Sequence, residues 1–76
     1  MLLNDKDFLI KLGNAIAKKA KVKFKSNVEF ANVCNVNEST IRRILRGEQN
    51  ISIKVLRRIC EALEIEMSGL LKEVGC

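Results

Sequence analysis

Histidine, proline, tryptophan and tyrosine are all absent from this 76-residue chain. Without histidine it lacks the commonest general base and the commonest metal ligand, which removes most hydrolytic and metal-dependent chemistry. Without proline, and with only four glycines, it has too little turn chemistry for the many tight hairpins of a β-sandwich or barrel. The only aromatic residues are Phe8, Phe24 and Phe30. Cysteine is also scarce. Cys34, Cys60 and Cys76 contain no Cys-x-x-Cys pair, which argues against a zinc site, and an odd number cannot close a disulfide framework. Reduced thiols are the expectation, with Cys34 and Cys60 as small core residues and Cys76 as a terminal thiol. No apolar run approaches the ~18 residues of a membrane span, and the start lacks a basic secretory n-region. The chain is read as a non-enzyme, without cofactor, metal or membrane partner, in the cytoplasm.

What remains suits a small helical protein. Hydrophobic residues make up 47% and charged residues 30%, a globular balance. A chain of this size buries only about 60% of its unfolded surface, so its core is thin. The net charge is +5, unevenly spread. Residues 1–25 carry Lys6, Lys11, Lys18, Lys19, Lys21, Lys23 and Lys25 against Asp5 and Asp7. Arg42, Arg43 and Arg46 follow, and residues 48–76 are nearly neutral. An acidic partner would meet the first two-thirds of the chain.

Apolar spacing divides the chain into five helices with no linker between domains, an all-α unit spanning 1–76. The first runs from Asn4 or Asp5 to Lys21, with Phe8, Leu12, Ile16 and Ala20 four residues apart. Lys21 to Lys25 is read as a connection. Ser26-Asn27-Val28-Glu29 is a capping box opening a second helix, in which Ser caps the third amide and Glu reaches back to the cap residue. Phe30, Ala31 and Cys34 face inward on that helix. Asn35 is suited to the left-handed conformation that ends a helix. Asn37 then caps a third helix, Glu38 to Leu45, with Ile41, Ile44 and Leu45 inward and Gly47 as its terminator. Ser52 caps a fourth helix, and Glu66 to Val74 forms a fifth. In the fourth helix Glu61 is available to pair with Arg57 or Arg58.

Residues 26–47 therefore hold two short helices joined by Asn35-Val36-Asn37, a connection tight enough to force a steep crossing. Ser26-Asn27-Val28-Glu29-Phe30-Ala31, Asn35-Val36-Asn37-Glu38-Ser39-Thr40-Ile41 and Arg46-Gly47 together resemble the Cro/cI-type (XRE) helix-turn-helix family of DNA-binding regulators. Its pattern there is Ser-Gln-x-x-Leu-Ala, Gly-Val-Ser-x-x-Thr-Ile and Arg-Gly. The likeness extends over about residues 8–72. It implies a five-helix, lambda-repressor-like fold, double-stranded DNA as partner and a homodimer on a near-palindromic operator. Stand-alone domains of this kind resemble phage repressors, restriction-modification controllers and antitoxins, with polymerase or a toxin as a further protein partner. The rival function is a protein-interaction module on the same fold.

Three departures stand out. Asn35 replaces the turn glycine of the family pattern, and Asn27 its glutamine. An Arg–Glu pair common in the family falls at Ala20 and Leu45, which are expected to lie together as an apolar replacement, sparing the cost of one unpaired buried charge.

On a helix beginning at Glu38, residues 38, 39, 42, 43 and 46 share the face opposite Ile41 and Ile44. Arginine can pair with guanine O6 and N7, and glutamate can accept from cytosine N4. By family position Glu38, Ser39 and Arg43 are the candidate base contacts, and Arg42 is a further candidate that could serve base or phosphate. Asn27, Thr40, Arg46, Gln49 and Asn50 are the candidate phosphate contacts. The Lys18–Lys25 cluster is read as flanking the phosphates. The stripe of Met67, Leu70, Leu71 and Val74 is either a lid on the core or a dimer seam.

Overall fold

The computed structural model describes residues 5–75. Met1 to Asn4 and Cys76 lie outside the described residues, so the readings of the extreme termini are not addressed. The five helices are α1 (Asp5–Lys23), α2 (Asn27–Cys34), α3 (Glu38–Arg46), α4 (Ile53–Leu63) and α5 (Met67–Glu73). Among the described residues there is no strand.

Helix α1 runs two residues past its expected end. Lys21 to Lys23, expected to begin the connection, form the last turn of this helix. The Phe24 amide still donates to the Ala20 carbonyl at 2.8 Å, and Val22 projects into solvent at 90% exposed. Phe24 then folds back to stack on Phe30, ring centroids 5.2 Å apart. That contact fixes the path of the chain into α2.

The caps follow the side-chain chemistry, with two adjustments. Ser26 Oγ accepts from the Glu29 amide at 3.1 Å, as a cap should. The reciprocal bond is displaced by one residue: Glu29 Oε1 accepts from the Lys25 amide at 2.9 Å. The Phe24 fold-back turns the chain before Ser26, which accounts for Lys25 taking the place expected of the cap residue. Asn37 stands at the cap position of α3 but makes no side-chain cap bond. Ser52 Oγ accepts from the Val55 amide at 3.1 Å and starts α4.

Asn35 is in the left-handed region at φ 59° and ψ 46°, and its amide turns back to Ala31 and Asn32. The turn to α3 is set there. Gly47 takes the same conformation at φ 74° and closes α3.

The core is wholly apolar. Leu12, Ile16, Phe30, Ile41, Ile59 and Leu70 are its largest fully buried members along with Cys34, and no polar or charged residue is buried among the described residues. Removing a side chain such as Phe30 from water contributes about 1.5–3 kcal/mol. Helix α1 packs mainly on α3, α2 on α3 and α4, and α5 on α1 and α4.

The α1–α3 contact is unusually close, and Gly13 makes it possible. A Cβ there would lie 2.5 Å from the Ile44 carbonyl oxygen and 2.7 Å from that of Leu45. Gly47 is similarly pressed, since a Cβ on it would lie 2.7 Å from Ile10 Cα. Helix α3 is thus seated on the α1 backbone through two glycines.

This packing bears on two expectations. Leu70 is 1% exposed and Val74 6%, both within the protein's own core, which is the lid side of the two alternatives for the α5 stripe. Met67 and Leu71 are partly buried against the same core. Leu45, expected to be buried, is only half-buried because small Ala17 and Ala20 opposite it leave a groove.

Candidate nucleic-acid interface

The outer face of α3 is a polar stripe on an apolar base. Ile41 and Ile44 are anchored at 0% and 4% exposed. Ser39, Arg42, Arg43 and Arg46 consequently face solvent. Glu38 and Thr40 are half-buried at opposite borders of the stripe, as the turn of 3.6 residues requires.

The three arginines differ in their neighbours. Glu38 Oε2 lies 3.0 Å from Arg42 Nε, one turn apart on the same helix. Glu48 Oε1 is a looser neighbour of Arg46 Nη1, at 3.9 Å. Arg43 has no ion pair among the described residues. All three side chains are therefore presented by one helix, and Arg43 is the least engaged within the protein.

The opening of α2 lies beside the end of α3. A groove of about 360 Å³ runs between them, with Ala17, Ala20, Phe24 and Leu45 as its apolar lining. Ala20 and Leu45 do lie together there, so the apolar pair occupies a shared site. Lys21, Lys25, Ser26 and Asn27 complete the lining.

The lysine cluster divides. Lys19 Nζ pairs with Glu73 at 2.9 Å and Lys23 Nζ with Glu64 at 2.6 Å, towards α5 and the end of α4. The hydrogen bond and charge of Lys23 hold the Glu64 carboxyl below its ordinary value. Lys21 and Lys25 are left at the groove. Of the Lys18–Lys25 cluster expected to flank the phosphates, these two line the groove, close before the Ser26 cap.

Asn50 occupies the other flank. It lines a separate hollow with Phe8, Leu9 and Ile51, near the start of α1. Asn27 and Asn50 therefore bracket the place where α3 crosses α1. Gln49 is half-buried in the same loop, whereas Asn27 and Asn50 are exposed.

A further residue braces the turn. Arg58 Nη1 donates to the Asn35 carbonyl at 3.5 Å, so α4 reaches the left-handed residue between α2 and α3. Glu61 makes no ion pair with Arg57 or Arg58; it shares a shallow exposed hollow with them. Among the described residues no group of three His, Cys, Asp or Glu side chains could hold a metal ion. Burial pushes the Cys34 thiol up to about 11 and raises that of Cys60, which makes both poor nucleophiles. No helix in the described residues is long and apolar enough to cross a membrane.

A sequence profile of the family described as "HTH_3: Helix-turn-helix" matches residues 25–70, more than half of the chain. Among solved structures, the chain is similar to the restriction-modification controller protein C.AhdI from Aeromonas hydrophila. That match has 24% identity and a TM-score of 0.75, covering 87% of this chain and 94% of that one. It is also similar to the clp gene regulator ClgR from C. glutamicum, at 24% identity and a TM-score of 0.82, covering 88% and 86%. At these identities the likeness is one of fold. No curated protein sequence matches the chain.

Proposed function

Because the chain belongs to the Cro/cI-type (XRE) helix-turn-helix family of DNA-binding transcriptional regulators, we propose that it acts by occupying an operator as a homodimer. The observation that carries this reading is the exposed stripe of Ser39, Arg42, Arg43 and Arg46 beside the opening of α2. A recognition helix enters the major groove while the helix before it crosses the phosphate backbone. Helix α3 is the reader in this arrangement and α2 the positioner. Ser39, Arg42 and Arg43 reach base edges, with Glu38 at the border of the stripe.

Phosphates are met on both flanks. Asn27 and Arg46, joined by Lys21 and Lys25, serve one strand; Asn50 serves the other, with Thr40 and Gln49 at the margins. Some twelve residues of α1 separate the two flanks, about 18 Å along the helix axis. That span is sufficient to straddle a major groove about 12 Å wide.

No catalysis and no cofactor enter this mechanism. The domain works in the cytoplasm, and a dimer matches half-sites about 34 Å apart. Bound there, it blocks or recruits polymerase, the protein partner this mechanism requires. A toxin-binding role gains no support from α5, since Leu70 and Val74 are buried.

Selection from random duplexes, followed by titration of the selected site at several salt concentrations, tests the proposal. A palindromic preference and a linear fall of log affinity with log salt are expected. Equal affinity for all sequences, or binding indifferent to salt, would overturn it. Sedimentation of the complex checks the two-to-one stoichiometry.

A further inference from the structure

Glu38 is placed to act on Arg42 rather than on DNA. Its Oε2 forms an ion pair with Arg42 at Nε, 3.0 Å away. A guanidinium carries five N–H donors in a planar fork. With the carboxylate closest to Nε, the end-on pair of terminal amino groups stays available to match guanine O6 and N7. Arg46 provides the contrast, because Glu48 approaches it at the tip, 3.9 Å from Nη1.

The geometry points to Glu38 as a positioning residue that orients Arg42, so that the two side chains together specify one guanine. This deepens the DNA-reading function proposed above and rests on it. It also replaces the expectation that Glu38 reads a cytosine itself.

Two further features favour the assignment. Glu38 is the first residue of α3 and half-buried at the border of the stripe. The positive end of the helix holds a carboxylate there, beside the groove edge rather than deep within it. In addition, an unpartnered carboxylate near phosphates is repelled, whereas one compensated by Arg42 is not. Arg43 has no carboxylate neighbour among the described ion pairs, so it reads its own base independently.

The test is sequence selection with the wild type, Arg42→Ala, Glu38→Gln, Glu38→Ala and the double variant, each first checked by circular dichroism. Arg42→Ala should lose about 5- to 150-fold of the discrimination for one guanine, the range of a bidentate pair. Both Glu38 variants should weaken preference at that same position by about 2- to 5-fold, as an exposed ion pair allows. The double variant should be no less selective than Arg42→Ala. A Glu38 variant that relaxes a different base pair, or losses that multiply in the double variant, would overturn the assignment. A wild type that selects no sequence would sink the DNA-reading function itself, and the role of the pair with it.

Discussion

Replacing Gly13 by alanine should destabilise the protein, against the ordinary rule for a helical glycine. In a helix interior, Gly→Ala is favourable by about 1 kcal/mol. At Gly13 the new Cβ would meet Ile44 O at 2.5 Å, Leu45 O at 2.7 Å and Leu45 C at 2.9 Å. All three are backbone atoms of α3, so no side-chain rotamer can relieve the clash. Ordinary van der Waals contact begins near 3.4 Å, so α1 and α3 must separate locally by about 0.9 Å. Overpacking of this kind costs about 1–3 kcal/mol, more when the obstructing atoms cannot move. The net expectation is a loss of about 1–2 kcal/mol, or roughly 4–16 °C in Tm for a domain of this size. Gly69 supplies the internal control, because a Cβ there meets nothing within 4 Å. Gly69→Ala, in the first turn of α5, should leave Tm unchanged or raise it by up to about 8 °C. Thermal unfolding followed by circular dichroism reads both. If Gly13→Ala melts at or above the parent temperature, the close α1–α3 approach is not a feature of the folded protein.

Three other expectations follow from the same geometry. Ser26→Ala removes the acceptor for the Glu29 amide and should cost about 1 kcal/mol in urea unfolding, with Ser26→Thr largely restoring it. Arg43→Ala should cost about 1–3 kcal/mol on the selected operator and relax one base position; a uniform loss on all duplexes would make Arg43 a phosphate contact. Cys34 and Cys60 should resist alkylation in the native protein at pH 8 and react fully in urea. The folded Cys34 thiol titrates near 11 against an ordinary 9.0, so burial favours the protonated form. Its contribution to stability is complete below pH 9 and disappears as pH rises through about 11. Rapid native labelling of Cys34 at pH 8 would contradict its burial.

The parts of the fold legible in the sequence are those decided by neighbouring residues. Ser26 and Ser52 cap their helices because a hydroxyl needs only an amide three residues away. Asn35 turns out of α2 because an Asn side chain tolerates the left-handed region almost as a glycine does. The inward faces of α2 and α4 follow from spacing alone, as Phe30, Ala31, Cys34, Leu56, Ile59 and Cys60 attest. What was not legible depends on distant chain. Gly13 has no local signature, since its role exists only where the α3 backbone comes to rest. Lys23 pairs with Glu64, forty-one residues on, and nothing near either residue announces it. The α5 stripe was visible as apolar, but spacing cannot say whether it covers its own core or a second molecule. The recognition stripe was legible as a face, while the Glu38–Arg42 contact within it needed atomic positions.

The placement of α3 separates its support from the stripe proposed to read DNA. It is held at Gly13 and Gly47 by close backbone approach, at Ile41 and Ile44 by burial, and at Asn35 through Arg58. Each of these contacts is on the inner side of the helix or at its ends. None involves Ser39, Arg42 or Arg43, whose side chains project away from the core. Exposed positions of that kind change stability by no more than about 0.5 kcal/mol when substituted. A base contact at the same positions is worth about 1–3 kcal/mol of discrimination. On the proposed function, the outer stripe can therefore be altered for a new operator at little cost to the fold, while an inner-side change such as Gly13→Ala should move the whole helix. Physical economy in a thin core produces this division. With no buried polar side chain among the described residues, α3 is fixed mainly by shape, and its charged face is left exposed.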